Sequence, residues 1–268
     1  MIEMLLEIDN LAKSFGGVNA VRDVSLSVDS DQIVSIIGPN GAGKTTIFNL
    51  ISGIYEADAG KILFMGRNIV GKPQHEIAGM GVSRTFQNIR LFKGLTVLEN
   101  VMTALDAGSN YSVFSAMLTL PHKRRTDKAN MLHALEALEI VGLTEYKDEQ
   151  PSNLPYGLQR RVELARAIVS KPKLLMLDEP AAGLNPSELA AFISLIAELK
   201  QRFHFGILVI EHRMQVVNEL SECIYVINFG NLLTHGNPKD VCNDPEVIKA
   251  YIGEDGNGAK DQKSLCQL

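Results

Sequence analysis

The sequence predicts an α/β fold: a P-loop core entered through strands and turns, and interrupted by a helical lobe. Three observations predict it. Residues 38–45 read Gly38-Pro39-Asn40-Gly41-Ala42-Gly43-Lys44-Thr45, a complete phosphate-cradling loop. Short apolar runs flank that loop and resume after residue 170. Between about residues 88 and 165 the apolar residues recur instead with helical spacing.

The elements follow in order. Leu5 to Ile8 is the first expected strand. Val24 to Val28 alternates apolar and polar residues, as a half-buried strand needs. Asp29-Ser30-Asp31 turns the chain into a buried strand, Ile33 to Ile37, which feeds the loop. A helix is expected from Thr45 to Ile51, its N-terminus facing the phosphate. Lys61 to Phe64 is a further strand, closed by a turn at Gly66. Val97, Leu98, Val101, Met102 and Leu105 mark one helix of the lobe, and Met131, Leu135, Leu138 and Val141 another. Between them lie the breaker Gly108-Ser109-Asn110 and a basic stretch, His122 to Arg125, which reads as a solvated face. A helix from Gln159 to Val169 ends the lobe. Leu174 to Leu177 is a short buried strand, and Asn185 caps a helix to Phe203 with Pro186 at its first position. Ile207 to Ile210 is the next strand. Cys223 to Asn228 and Leu232 to Thr234 form a hairpin across Phe229-Gly230-Asn231, and a short helix follows from Pro245 to Tyr251. One domain is expected over 1–254, with 255–268 a disordered tail.

Composition narrows the function. The 268 residues are 46% hydrophobic and 21% charged, enough for a sizeable core. A net charge of −5 gives no basic field for a polyphosphate backbone, so no nucleic-acid partner is expected. Cys223, Cys242 and Cys266 show neither CxxC nor His spacing and read as reduced cytosolic thiols. The first residues hold Glu3 and Glu7 inside a short apolar run and do not read as a signal peptide. No apolar run has the length of a membrane span.

The chemistry centres on the loop. Gly38, Gly41 and Gly43 let backbone N–H groups turn inward around an anion. Lys44 reaches the β- and γ-phosphates, and the Thr45 hydroxyl ligates Mg²⁺. Pro39, Asn40, Ala42 and Thr46 complete the nucleotide-binding run. Asp178-Glu179 closes the strand at 174–177. There Asp178 is placed to hold Mg²⁺, and Glu179 to polarise the attacking water as general base. Alone, such a pair also fits two surface acids; the P-loop selects the functional reading. His212 follows the strand at 207–210 at the carboxyl edge of the sheet, within reach of a γ-phosphate. Gln87, between core and lobe, is a candidate contact for Mg²⁺ or the attacking water; by itself it is also an ordinary polar loop residue.

Taken together, the chain resembles the ATP-binding subunit of ATP-binding-cassette transporters over essentially its whole length. The resemblance rests on the P-loop, Gln87, Leu154-Pro155-Tyr156-Gly157-Leu158-Gln159, Leu177-Asp178-Glu179-Pro180, Gly183-Leu184-Asn185-Pro186 and Glu211-His212. It implies a P-loop NTPase core with an N-terminal antiparallel β subdomain and an inserted α-helical subdomain. It makes Gln87 the lid glutamine, residues 154–158 the signature, 182–185 the D-loop and His212 the switch histidine. Phe15 matches the aromatic residue that stacks on adenine. The implied cofactors are ATP and Mg²⁺. The implied mechanism is a head-to-tail pair of ATPase subunits, paralogous or identical, with Gly157 of one facing the ATP of the other. Gly157 is expected just before its helix. Pro155, Tyr156 and Leu158 depart from the usual Leu-Ser-Gly-Gly-Gln, and Asn185 from the usual Asp, which implies slower turnover at the site using this signature.

The Tyr156-Gly157 form of the signature, the runs Asp178 to Pro186 and Arg84 to Phe92, and Ile210 to Met214 are most similar to the ATPases of bacterial branched-chain amino acid importers. Transmembrane permease subunits are then the direct partners, a substrate-binding protein an indirect one, and the cytoplasmic face of the inner membrane the place. Two other readings stand beside it: an ATPase of a lipid or lipopolysaccharide exporter, and a soluble ATPase acting on ribosomes or DNA. The latter's relatives carry paired cassettes or a long coiled coil, which this sequence lacks.

Overall fold

The computed structural model describes residues 4–106 and 121–252. Two sheets carry the fold. Strands β1 (Met4–Phe15), β2 (Val18–Asp29), β4 (Ala59–Phe64) and β5 (Arg67–Asn68) form an antiparallel sheet in the order β2-β1-β4-β5. Strands β3 (Ile33–Ile37), β6 (Val82–Arg84), β7 (Leu174–Asp178), β8 (Gly206–Ile210), β9 (Cys223–Asn228) and β10 (Asn231–Gly236) form the second, ordered β10-β9-β3-β8-β7-β6. All its neighbours run parallel except the β9–β10 hairpin. The helices are α1 (Lys44–Ile51), α2 (Gln74–Gly79), α3 (Val97–Asp106), α4 (Pro121–Ile140), α5 (Tyr156–Ile168), α6 (Pro186–Phe203), α7 (Met214–Leu220), α8 (Pro238–Cys242) and α9 (Pro245–Ile252).

Every residue of β3, β7 and β8 is buried, which is why these strands are continuous apolar runs: both faces of a parallel sheet are covered. The period of two then divides their side chains. Leu175, Leu177, Ile207 and Val209 join the core built by α3, α4, α5 and α6. Val34, Ile36, Leu174, Met176, Leu208 and Ile210 join the core shared with α1 and the antiparallel sheet. A smaller core under Ile37 packs α7, α8 and α9. The helical lobe thus shares its core with one sheet face.

Several expected boundaries change. β1 and β2 each span 12 residues, longer than the expected strands. Their register shifts repeatedly, and Asn10 and Asp23 take positive φ, so bulges interrupt the simple alternation. The β9–β10 turn is Phe229-Gly230, and Asn231 already belongs to β10. Helix α5 starts at Tyr156, three residues before the expected Gln159. Pro155 is its N-cap, with φ already at −52°, so Gly157 lies inside the first turn and not before it. The short elements α2, β6, α7 and α8 carry too few residues for a periodic signal. Helix α6 matches expectation at both ends. Asn185 accepts from the Ser187 and Glu188 N–H groups, and Glu188 returns to the Asn185 N–H in a full capping box. The Gly108-Ser109-Asn110 breaker, Cys266 and the expected tail at 255–268 lie outside the described residues.

Candidate active site

The functional candidates come from the carboxyl ends of four adjacent strands, β3, β8, β7 and β6. The P-loop follows β3, His212 follows β8, Asp178-Glu179 closes β7, and Gln87 follows β6. That edge is where open α/β sheets place ligands.

The loop from Gly38 to Gly43 is held from both sides. Gly38 and Gly43 take φ of 149° and 107°. A Cβ on Gly38 would stand 2.0 Å from the Ile227 carbonyl oxygen, and one on Gly43 2.3 Å from that of Ala20. Glycine is therefore required at both. Gly43 caps α1, and Lys44, Thr45 and Thr46 form its first turn, where N–H groups have no intrahelical acceptor. A loop that close-packed, opening into free N–H donors, fits a phosphate chain.

Lys44 is buried and curls back over the loop. Its Nζ donates to the Gly38 carbonyl at 2.6 Å and the Pro39 carbonyl at 2.9 Å. Burial holds its ammonium below the ordinary value of 10.5, while the charges of Glu179 and Asp178 pull it back up. The residue is thus a desolvated cation facing two carboxylates.

Asp178 is almost wholly buried, and Arg84 donates to its Oδ2 at 2.8 Å. Glu179 continues the ladder, its N–H bonding the Ile210 carbonyl at 2.9 Å. Its φ of +46° is a strained conformation for a non-glycine residue and turns its side chain out of the sheet pattern. The Gln87 side-chain amide donates to Glu179 Oε2 at 2.7 Å. His212 Nδ1 lies 3.9 Å from the same oxygen, beyond hydrogen-bond range. Glu179 is thus the meeting point of the β6, β7 and β8 loops. Thr45, Gln87 and Asp178 line one cleft of about 430 Å³ with Arg84 and Asn49.

Gly157 is buried against α6: a Cβ there would meet Glu188 Oε1 at 2.7 Å. The Tyr156 ring lies over Gly183. The signature segment and the D-loop therefore pack on each other within one chain. Phe15 sits at the end of β1, 40% exposed, edge-to-face with Tyr55 at 5.0 Å. It is not a core residue, and Lys13 Nζ lies over its ring, 5.4 Å from the centroid.

Three residues of the site carry no assigned role in the sequence reading. Glu211, 1% exposed, accepts from the N–H groups of Ala181, His212 and Arg213, tying the loops after β7 and β8 together. Arg160 on α5 donates to the carbonyls of Phe86 and Gln87 and to the Tyr156 hydroxyl. It joins the signature helix to the Gln87 loop. Arg84 reaches Asp178. The signal for Arg160 is an arginine on the otherwise apolar side of an amphipathic helix; periodicity alone gives it no partner.

Comparison with known proteins follows the same line. The family described as ABC transporter matches residues 21–182. The family described as branched-chain amino acid ATP-binding cassette transporter matches residues 231–257. The high-affinity branched-chain amino acid transport ATP-binding protein LivG of Salmonella typhimurium is 47% identical over 254 residues, covering 95% of this chain and all of the relative. The BraF protein of Pseudomonas aeruginosa, described in the same words, is 45% identical over 95% of this chain and all of its own length. A nucleotide-free ATP-binding cassette from an ABC transporter superposes with a TM-score of 0.81 at 33% identity, covering 94% of this chain and all of that one.

Proposed function

The chain belongs to the ABC transporter ATPase family, and from that premise we propose that it powers a membrane importer of branched-chain amino acids. The observation that carries the catalytic half is the convergence of Lys44, Asp178, Glu179, Gln87 and His212 at one sheet edge. The near-full-length identity to LivG and BraF supports the choice of cargo. We take residues 1–254 as a single cassette, with the helical lobe spanning about 88–165.

In this reading the P-loop holds the phosphates of ATP through backbone N–H groups of Gly41 and of Gly43 to Thr46, with Lys44 on the β- and γ-phosphates and Gly38, Pro39, Asn40 and Ala42 shaping the loop. Phe15, exposed at the end of β1, stacks on adenine. Glu179 takes the proton of the attacking water, and Gln87 and His212 orient the groups around it. Mg²⁺ fits the donors present: a hydroxyl at Thr45, a carboxylate at Asp178 and an amide at Gln87 share one cleft. No cluster of His, Cys, Asp and Glu among the described residues forms a cage of its own. A hard cation held by one carboxylate, a hydroxyl and substrate phosphates suits that set. Bound there, it would neutralise charge developing on the phosphates.

Gly157 stands in the N-terminal turn of α5, whose N–H groups have no intrahelical acceptor, and in this reading that turn faces a phosphate of a second ATPase subunit, paralogous or identical, set head to tail. ATP then joins the two subunits, and hydrolysis releases them. The Arg160 bonds to Phe86 and Gln87 give the route by which that motion moves the Gln87 loop and the permeases docked there. No helix among the described residues is long and apolar enough to cross a membrane. On the likeness to LivG and BraF we place the chain peripherally on the cytoplasmic face, working through transmembrane permeases and, indirectly, a substrate-binding protein.

The test is to purify tagged Glu179→Gln protein with ATP from its native membranes. Two hydrophobic permeases and a partner ATPase support the importer. Lipopolysaccharide-transport subunits, or ribosomal proteins without a membrane subunit, contradict it.

A further inference from the structure

Arg84 occupies an unusual place for a cation. It sits on β6, beside Met176 of β7 and two residues short of Asp178. Its side chain is 8% exposed and that of Asp178 5%. One guanidinium nitrogen donates to Asp178 Oδ2 at 2.8 Å. The other donates to Asn49 Oδ1 at 2.8 Å and Ser52 Oγ at 2.9 Å, both on α1 or at its end. The group is sandwiched between the rings of Phe48 on α1 and Phe86 beside Gln87, at 5.4 and 5.3 Å.

Asn49 lies four residues after Thr45, one turn along the same face of α1. The rigid, planar fork of Arg84 thus holds the helix that carries Thr45 with one arm and the strand that carries Asp178 with the other. We propose that Arg84 is a positioning residue that sets the spacing between Thr45 and Asp178, and thereby the affinity of the site for Mg²⁺. The inference rests on the reading of those two residues as metal donors. Arg84 engages one carboxylate oxygen and leaves the other available. Without it, a desolvated Asp178 is free to turn toward Lys44, whose ammonium already feels its charge.

Two opposite outcomes separate this role from simple charge competition. If Arg84 only competes with the metal for Asp178, removing it tightens Mg²⁺ binding. If it positions the donors, removing it weakens Mg²⁺ binding. The experiment uses the purified full chain and a fluorescent ATP analogue, titrated with Mg²⁺ from a chelated start. Arg84→Gln should raise the Mg²⁺ half-saturation roughly tenfold or more, the range seen when groups that orient metal ligands are removed. Arg84→Lys, a point charge that cannot span both arms, should fall between. Asn49→Ala keeps the buried ion pair, and so the fold, and should give a smaller rise in the same direction. Analogue affinity in chelator is measured beside it, and a loss there as large as the loss of the Mg²⁺ response marks a mere structural strut and overturns the proposal. Half-saturation unchanged or lowered in these variants overturns the proposal. If the parent itself binds the analogue equally with and without Mg²⁺, the metal-site reading fails first and the proposal with it.

Discussion

Gln87 donates its side-chain amide to Glu179 Oε2 over 2.7 Å, joining loops 92 residues apart in sequence. The bond fixes the orientation of the Glu179 carboxylate and leaves its other oxygen to accept a proton from water. Gln87→Ala removes the amide that orients the carboxylate. We expect ATP binding within about threefold of the parent and hydrolysis slower by roughly 10–100-fold in the assembled complex. Equilibrium binding and a phosphate-release assay check the two halves separately.

Glu179→Gln keeps a carbonyl oxygen for the Gln87 amide and the same side-chain shape in a strained backbone position. It removes only the basic oxygen. ATP binding should persist, with hydrolysis slower by roughly 10²–10⁴-fold. Hydrolysis at the parental rate would take the general-base role away from Glu179.

Lys44 links nucleotide binding to stability. Its ammonium is held below 10.5 mainly by burial, so between the lowered value and 10.5 the unfolded chain binds more protons than the folded one. Stability therefore rises with pH in that window. Lys44→Met should abolish tight nucleotide binding and remove that slope. Urea unfolding of nucleotide-free protein at pH values stepped up toward 10.5 should show the parent gaining on the variant. Parallel curves would contradict a desolvated Lys44.

Arg160 and Glu163 form a buried pair, 3% and 2% exposed. Burial pushes the Glu163 carboxyl above 4.5, and Arg160 and Arg166 pull it back. Arg160→Ala leaves that carboxylate without its nearest cation and drops the Phe86 and Gln87 carbonyls. Breaking one side of such a pair costs about 3–5 kcal/mol at neutral pH. With Glu163 raised, and raised further once Arg160 is gone, the folded variant takes up a proton before the unfolded chain does, so the deficit should shrink as pH falls from neutrality. Denaturant unfolding at two pH values measures both.

How much of this was legible follows from where each signal lives. The P-loop, the acidic pair at Asp178-Glu179 and the Asn185 cap with Pro186 after it are local patterns, written within a few residues, and the structure keeps each in place. Their convergence was legible too, because each follows a buried strand and parallel strands share one carboxyl edge. Arg84 and Arg160 were not. Read along the chain, an arginine is a solvated charge. What makes these two matter is a carboxylate 94 residues away and a carbonyl 73 residues away. The position of Gly157 shifted for a smaller reason: a proline that breaks helices inside them starts one at its N-cap.

The central claim, that this chain drives branched-chain amino acid import, is tested most directly by uptake. Radiolabelled leucine uptake would be measured in cells lacking the chain, with the gene restored as parent or as Glu179→Gln. The account predicts that the parent restores high-affinity uptake and the variant does not, although both reach the membrane. Leucine uptake that is the same in all three strains would contradict it.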